Sequence, residues 1–481
     1  MRLGGRMGSV VVVGGGPIGL ASAMLLAREG HDVTVLEKDP QGPPATALEA
    51  WRDWQRTGVA QFRQAHAMHA RFRHLLDAEF PDIRDDIVAS GGRRISIMTG
   101  FLNQLEDRSP RPGDEKFETI TARRPVVESA FARAAENTPG VEVIRGVSVA
   151  GPIAGKEIAA GIPHVAGVRA KDGEDYAGDL IIDASGRKSE FDEWAVGLGG
   201  RPLYEEKSDL GFAYYTRHYQ CRDGFEPELR RAPITVQTTF QTISVPADNE
   251  TWVVAIICMS GDKPMKAVRQ NETWERVIRS VPHLSHWIEG DPLHDVQPMA
   301  GAADRYRRFV VDGAPVVTGI VAVGDSWACT NPTAGRGMSL GLGHAIALRD
   351  AARTHFDDPL GLAVNFDAVT EEKFTPWYRQ QIDRDRGRVA AISAAIDGRE
   401  PPKPDLSNPI VRRQLAFATA AGRDPEVARA FAEVLSALTL PQEIMARPGM
   451  LEKVMAAAEG REPPETPGPS REQTLKILSE D

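Results

Sequence analysis

Val10-Val-Val-Val-Gly-Gly-Gly-Pro-Ile-Gly19 opens the chain's first regular segment, and Ala23, Gly30 and Glu37 follow it. Four consecutive β-branched residues read as a strand buried on both faces. Gly14, Gly16 and Gly19 stand at G-x-G-x-x-G spacing and make the turn into a helix. Ala23 and Gly30 let that helix pack closely, and residues 32–36 read as the next strand, with Glu37 at its tip. Gly14 permits the tight turn, Gly16 lets a pyrophosphate approach the backbone, and the helix N-terminus offers unpaired N–H groups to its charge. Glu37 can accept hydrogen bonds from two ribose hydroxyls. Strand, helix, packing residues and acid together point to an ADP-containing cofactor rather than to a glycine-rich turn without a ligand.

The chain has 481 residues, room for two or three domains. Its formal net charge of −10 argues against nucleic acid and anionic membrane surfaces as partners. No apolar run approaches the roughly 18 residues of a membrane span. Residues 1–7 lack an apolar core and read as a short leader, not a signal peptide. Cys221, Cys258 and Cys329 are far apart and form no C-x-x-C pair, so the expectation is a reducing cytoplasm without disulfides or structural zinc.

Residues 9–37 read as β-α-β, 48–80 as mostly helix ending at Pro81, and 103–118 as a surface loop. A helix is expected over 125–136, and strands over 141–149 and 179–183. Residues 212–219, 234–245 and 251–258 are rich in β-branched and aromatic residues and break at Pro and Gly, which suggests an inserted antiparallel sheet. Residues 274–287 read as helix, 315–323 as a buried strand, and 338–459 as mainly helical. The fold class is therefore α/β: a Rossmann-like domain over 1–200, an inserted β-rich substrate domain over 201–305, a return to the first domain over 306–345, a helical region over 346–460, and a mobile tail over 461–481.

A second motif decides the cofactor. Gly319-Ile-Val-Ala-Val-Gly324-Asp325 is a buried strand ending in Gly-Asp, and a loop with Pro332, Gly335 and Gly337 leads to a helix near Met338. An aspartate at a strand tip can bond a polyol hydroxyl. Close-approach glycines let backbone lie against a flat ring, and a helix N-terminus stabilises negative charge there. Flavin has both a polyol chain and a ring that becomes anionic on reduction; nicotinamide dinucleotides have neither.

With these motifs the chain resembles the FAD-dependent monooxygenase superfamily of the para-hydroxybenzoate hydroxylase type, and most narrowly the flavin epoxidases of polyether pathways. The resemblance spans roughly residues 9–345. It rests on the dinucleotide turn, on Gly324-Asp325 through Gly337-Met338, and on Asp183-Ala-Ser-Gly-Arg-Lys-Ser189. It implies FAD held by Gly14, Gly16, Pro17, Ile18, Gly19, Glu37, Lys38, Arg63, Arg124, Gly324, Asp325, Pro332, Gly335, Gly337 and Met338. Asp325 would hold the ribityl chain and Arg124 would reach toward the flavin. The implied activity is hydroxylation or epoxidation of a largely apolar, secondary-metabolite-like substrate by O₂ through a flavin C4a-hydroperoxide. Where the hydroxylases carry Ala-Asp-Gly, this chain reads Ala184-Ser185-Gly186. That aspartate helps organise the NAD(P)H and pyrophosphate region, so the electron source stays open between NAD(P)H and reduced flavin from a separate reductase.

Flavin carries the hard chemistry, so side-chain candidates are few. His66, Arg336 and Tyr214 are the weak catalytic candidates. Tyr215 and Trp252 are either pocket or sheet core. His66, His69 and His74 lack acid or thiol partners at ligand spacing, so no metal is expected. Cys329 reads as a small buried residue, and Arg305, Arg307 and Arg308 as a solvated strand edge. Three alternatives remain: a reductase or saturase of the geranylgeranyl-reductase kind, a flavin-dependent halogenase, whose Trp-x-Trp-x-Ile signature is absent here, and a flavin-bearing redox sensor without turnover.

Overall fold

In the computed structural model, which describes residues 7–463 and 466–480, the Ser9–Val13 strand lies at the centre of a parallel sheet. The strand order is Ile320–Ala322, Leu180–Asp183, Ser9–Val13, Asp32–Glu37, Val141–Arg145. The four valines explain the position. Val10 and Val12 enter one core with Leu20, Met24 and Phe131, while Val11 and Val13 enter another with Val165, Tyr306 and Trp327. A strand covered on both faces needs no polar alternation. Residues 1–6, most of the expected leader, lie outside the described residues.

The inserted sheet is antiparallel, in the order Ile234–Val236, Phe240–Pro246, Thr251–Met259, Phe212–Gln220, Asp291–Pro292, with Gln297–Ala300 also pairing with Phe212–Gln220. Its two faces divide cleanly. Tyr215, Tyr219, Trp252, Val254 and Ile256 face a back core with Trp274 and Val277 of the Asn271–Arg279 helix. Phe212, Tyr214, Val253, Ala255 and Ile257 face the other way, toward Ala67 and the first domain. Tyr215 and Trp252 are therefore sheet core and not pocket residues. The expected helix over 274–287 is a helix at Asn271–Arg279 and a short turn at Ser285–Ile288, and the strand expected over 315–323 is only Ile320–Ala322.

Two further expectations are corrected. Residues 48–80 hold helices only at Ala47–Arg52 and Ala70–Glu79. Between them the chain is irregular, because Arg63 donates to the carbonyls of Trp51 and Trp54 and ties the loop back on itself. His66 and His69 thus share no helix face. The tail read as mobile holds a helix at Arg471–Ser479, opened by a Ser470–Gln473 capping box and anchored by Arg471 on Asp262 at 2.6 and 2.9 Å. Among the described residues no helix is long and apolar enough to cross a membrane.

Candidate active site

The dinucleotide turn separates packing from ligand space glycine by glycine. Gly14 has φ +112°, and a side chain there would strike the Ala184 carbonyl. One at Gly19 would strike the Gly14 carbonyl. One at Gly16 would meet nothing within 4 Å. Gly16 is the N-cap of the Pro17–Arg28 helix and no side chain caps it, so the positive helix end faces open space.

Glu37 is committed more deeply than its sequence position suggests. It is 3% exposed. One oxygen accepts from the Asp39 N–H at 2.8 Å, and the other from the Gly15 N–H and Arg56, each at 2.8 Å. The first oxygen keeps lone-pair capacity for one further donor. Arg56, which the sequence did not single out, also donates to Asp39 at 3.0 Å and Glu128 at 3.2 Å. Burial works against its charge, but the carboxylates of Glu128, Glu37 and Asp39 outweigh it and raise its pKa. Lys38 points outward and is exposed; the neighbouring Asp39 is the buried partner.

Arg124 continues this network, donating to Glu128 at 2.5 Å and to His66 Nε2 at 2.9 Å. His66 Nδ1 lies 2.9 Å from the Gln64 carbonyl, which assigns the proton to Nδ1. Burial, then the charge of Arg124, pushes the His66 pKa down to about 3, so the ring is neutral. Arg63 reaches no acid; its bonds are spent on the Trp51–Trp54 loop.

The other two motifs meet this turn through Ile18. A side chain at Gly324 (φ +58°) would lie 3.2 Å from Ile18, and one at Gly341 2.8 Å from it. Gly324 N–H donates to His344 Nδ1 at 3.2 Å. Asp325 is partly exposed beside Gly337, with Arg187 at 3.5 Å as its ion-pair partner. Behind them, fully buried Asp183 accepts from Ser185, Ser189 and Ser326. Two members of the basic cluster, Arg305 and Arg307, are buried and not a solvated edge, while Arg308 is half-exposed and pairs with Asp367. Arg307, 1% exposed, binds Ser189, Ser326, Glu205 and Asp192. Arg305 donates to the carbonyls of Gly186 and Asp325 at 3.1 Å. These two arginines clamp the middle motif onto Asp325, a role that their reading as a strand edge did not anticipate.

The ring-side loop runs through the Pro332–Ala334 turn and Gly335 (φ +66°) into the Gly337–His355 helix, which includes Met338. His69 Nε2 holds the Ala334 carbonyl at 2.6 Å. Tyr214 donates to the Asn331 side chain, and the Asn331 N–H donates to Asp304 at 2.5 Å. Asp304 is fully buried and burial raises its pKa to about 6. Cys329 is buried too, and burial raises its thiol pKa to about 11, so it is unreactive.

A partly open cavity lies against this loop. Met68, Ile95, Phe101, Ile234, Val245 and Leu435 make its apolar walls, and Ala334 and Arg336 bring the loop into it. Arg336 is 5% exposed and stacks over Trp377 at 5.0 Å. The arrangement suits FAD: an uncapped helix end and open space at Gly16, an accessible carboxylate at Asp325, and a glycine-lined loop facing an apolar cavity.

The family profile described as FAD dependent oxidoreductase matches residues 9–85. Protein Rv3254 of Mycobacterium tuberculosis is 25% identical over 383 residues, covering 73% of this chain and 75% of that one. The Diels-Alderase PyrE3 of pyrroindomycin biosynthesis shares the fold with a TM-score of 0.59 at 17% identity, over 90% of this chain and 80% of that one. OxyS, an anhydrotetracycline hydroxylase from Streptomyces rimosus, gives 0.53 at 18% identity, over 90% and 77%. Residues 9–85 thus match the FAD dependent oxidoreductase profile, and the fold is shared with PyrE3 and OxyS.

Proposed function

We propose that this chain, built on the fold of the FAD-dependent monooxygenases, uses FAD and O₂ to hydroxylate or epoxidise a largely apolar organic substrate. The observation that supports the reading is a shared wall: the loop that carries Pro332, Gly335 and Gly337 also lines the apolar cavity through Ala334 and Arg336. When bound, FAD supplies the oxygen-activating redox chemistry.

The protein's own contributions are positioning, exclusion of water and charge stabilisation. Gly14, Gly16, Gly19, Glu37 and Asp325 hold the cofactor. Ile234 and Val245 of the inserted sheet line the cavity, and the Phe212, Tyr214, Val253, Ala255 and Ile257 face packs in the same apolar cluster with Ala67, which excludes water on that side. Tyr214 keeps its proton, because burial raises its pKa well above the usual value, and it spends that proton on Asn331. The N-terminus of the Gly337–His355 helix faces the ring-side loop with its positive end and favours an anionic ring.

The fold also serves a Diels-Alderase, so oxygen uptake is the discriminating measurement. FAD-reconstituted protein supplied with reduced flavin and an accepted substrate should consume O₂ in step with oxygenated product. A reductase would turn over without O₂, a Diels-Alderase without redox change, and a protein that takes up no FAD sinks the proposal.

A further inference from the structure

The geometry points to an acid as the substrate: the cavity takes an apolar organic molecule bearing a carboxylate, and Arg384 pairs with that carboxylate. This inference rests on the reading of the cavity as the substrate site. Arg384 projects from the Thr375–Ile396 helix into the cavity wall. Among the described residues it makes no hydrogen bond, ion pair or ring contact. Its surface is accessible, yet burial lowers its pKa. Arg384 is thus a solvent-reachable guanidinium on the open side of the cavity wall.

The acids that could neutralise it are already engaged. Adjacent Asp385 is fully buried and holds Thr333 at 3.0 Å, Gln381 at 2.7 Å and Arg388 at 2.8 Å. Asp383 lies on the outer side with Arg386. The second guanidinium on the wall, Arg336, has only neutral partners, Gln380 and the Val434 carbonyl, and its Nε has none. The Thr121 hydroxyl, 1% exposed and also on the wall, lacks a partner too. His69, on the same wall, is neutral, burial pushing its pKa down to about 4.

The wall therefore presents two cations and an unused hydroxyl amid apolar surface, with no anion. The Arg336 charge is buried without an acid on its hydrogen bonds, and a carboxylate bound by the accessible Arg384 would lie beside it and offset both charges through charge-assisted hydrogen bonds. A guanidinium matches a planar carboxylate by its fork geometry. The apolar walls then take the remainder of the molecule.

The test is calorimetric binding to FAD-reconstituted protein of three acids, octanoate, 2-naphthoate and palmitate, each against its primary amide. The native protein should bind at least one acid tenfold or more tightly than its amide. R384Q should remove that preference, leave amide binding within twofold, and leave FAD affinity and the thermal midpoint unchanged, since Arg384 holds nothing in the empty fold. R384K should retain part of the preference. The inference is overturned if no acid is bound more tightly than its amide, or if R384Q keeps the preference. It is also overturned if R384Q weakens FAD while acid binding persists. Heat of binding is read without turnover, so a failure of oxygenase activity leaves this result distinct.

Discussion

Arg56 and Glu37 form an ion pair at 2.8 Å with both side chains 4% exposed, directly beneath the dinucleotide turn. Arg56 also counters Asp39 and Glu128. Removing a buried cation from three carboxylates leaves uncompensated charge, at a cost of roughly 3–5 kcal/mol. Arg56→Met should therefore lower stability by that order in urea titrations at pH 7 and weaken FAD binding with it. An unchanged denaturation midpoint would refute the role.

The glycines of the turn should separate by experiment. Gly16 has φ −78° and open space at its Cβ position, so Gly16→Ala should fold and melt like the native protein. Its methyl group would intrude on the pyrophosphate, and FAD affinity should fall at least tenfold. Gly19→Ala forces the helix off the Gly14 carbonyl and should lower the melting temperature itself. Paired melting curves and FAD titrations distinguish the two effects.

Ser185 donates to Asp183 at 2.5 Å. An aspartate in its place sets a second carboxylate against a buried one, so Ser185→Asp should destabilise by about 1–3 kcal/mol. With the hydroxylase aspartate missing, NADPH alone should bleach the bound flavin slowly in stopped-flow absorbance, and reduced flavin from a reductase should support turnover. Rapid reduction by NADPH without a partner would count against this.

Acid should loosen the ring-side half of the site through His344. Burial holds its pKa down to about 3, and its neutral Nδ1 accepts the Gly324 N–H. The folded value lies below the unfolded 6.5, so the unfolded chain binds more protons between them. Stability from this group is then complete above about pH 6.5 and declines as pH falls toward 3, by at most about 1.4 kcal/mol per pH unit. Urea midpoints at pH 5, 6 and 7 should show the decline. His344→Asn should start less stable at pH 7 and show a shallower slope.

The parts of the fold legible in sequence were those governed by local chemistry. The valine run, the three glycine motifs and the β-branched stretches each carry their own signal. Long-range pairing carried none. Arg56 finds Glu128, and Arg307 finds Ser189, across distances in sequence that no spacing rule spans. The orientation of the inserted sheet was illegible for another reason. Both of its faces are apolar, one against Trp274 and one against Ala67, so the period-two alternation that would reveal the pocket side is absent. The Arg63 bonds to the carbonyls of Trp51 and Trp54 were illegible too, since no local pattern announces a loop folded back on itself.

The contact of Ile18 with Gly324 and Gly341 has a consequence for the protein's birth on the ribosome. The turn is synthesised some 300 residues ahead of the surface that completes it. The Ile320–Ala322 strand must also dock beside Leu180–Asp183 before the sheet is finished. Contacts of such sequence separation form slowly. Flavin capture is therefore a late event in biogenesis, and nascent chains stalled before the Gly337–His355 helix emerges will display the dinucleotide motif without its second half.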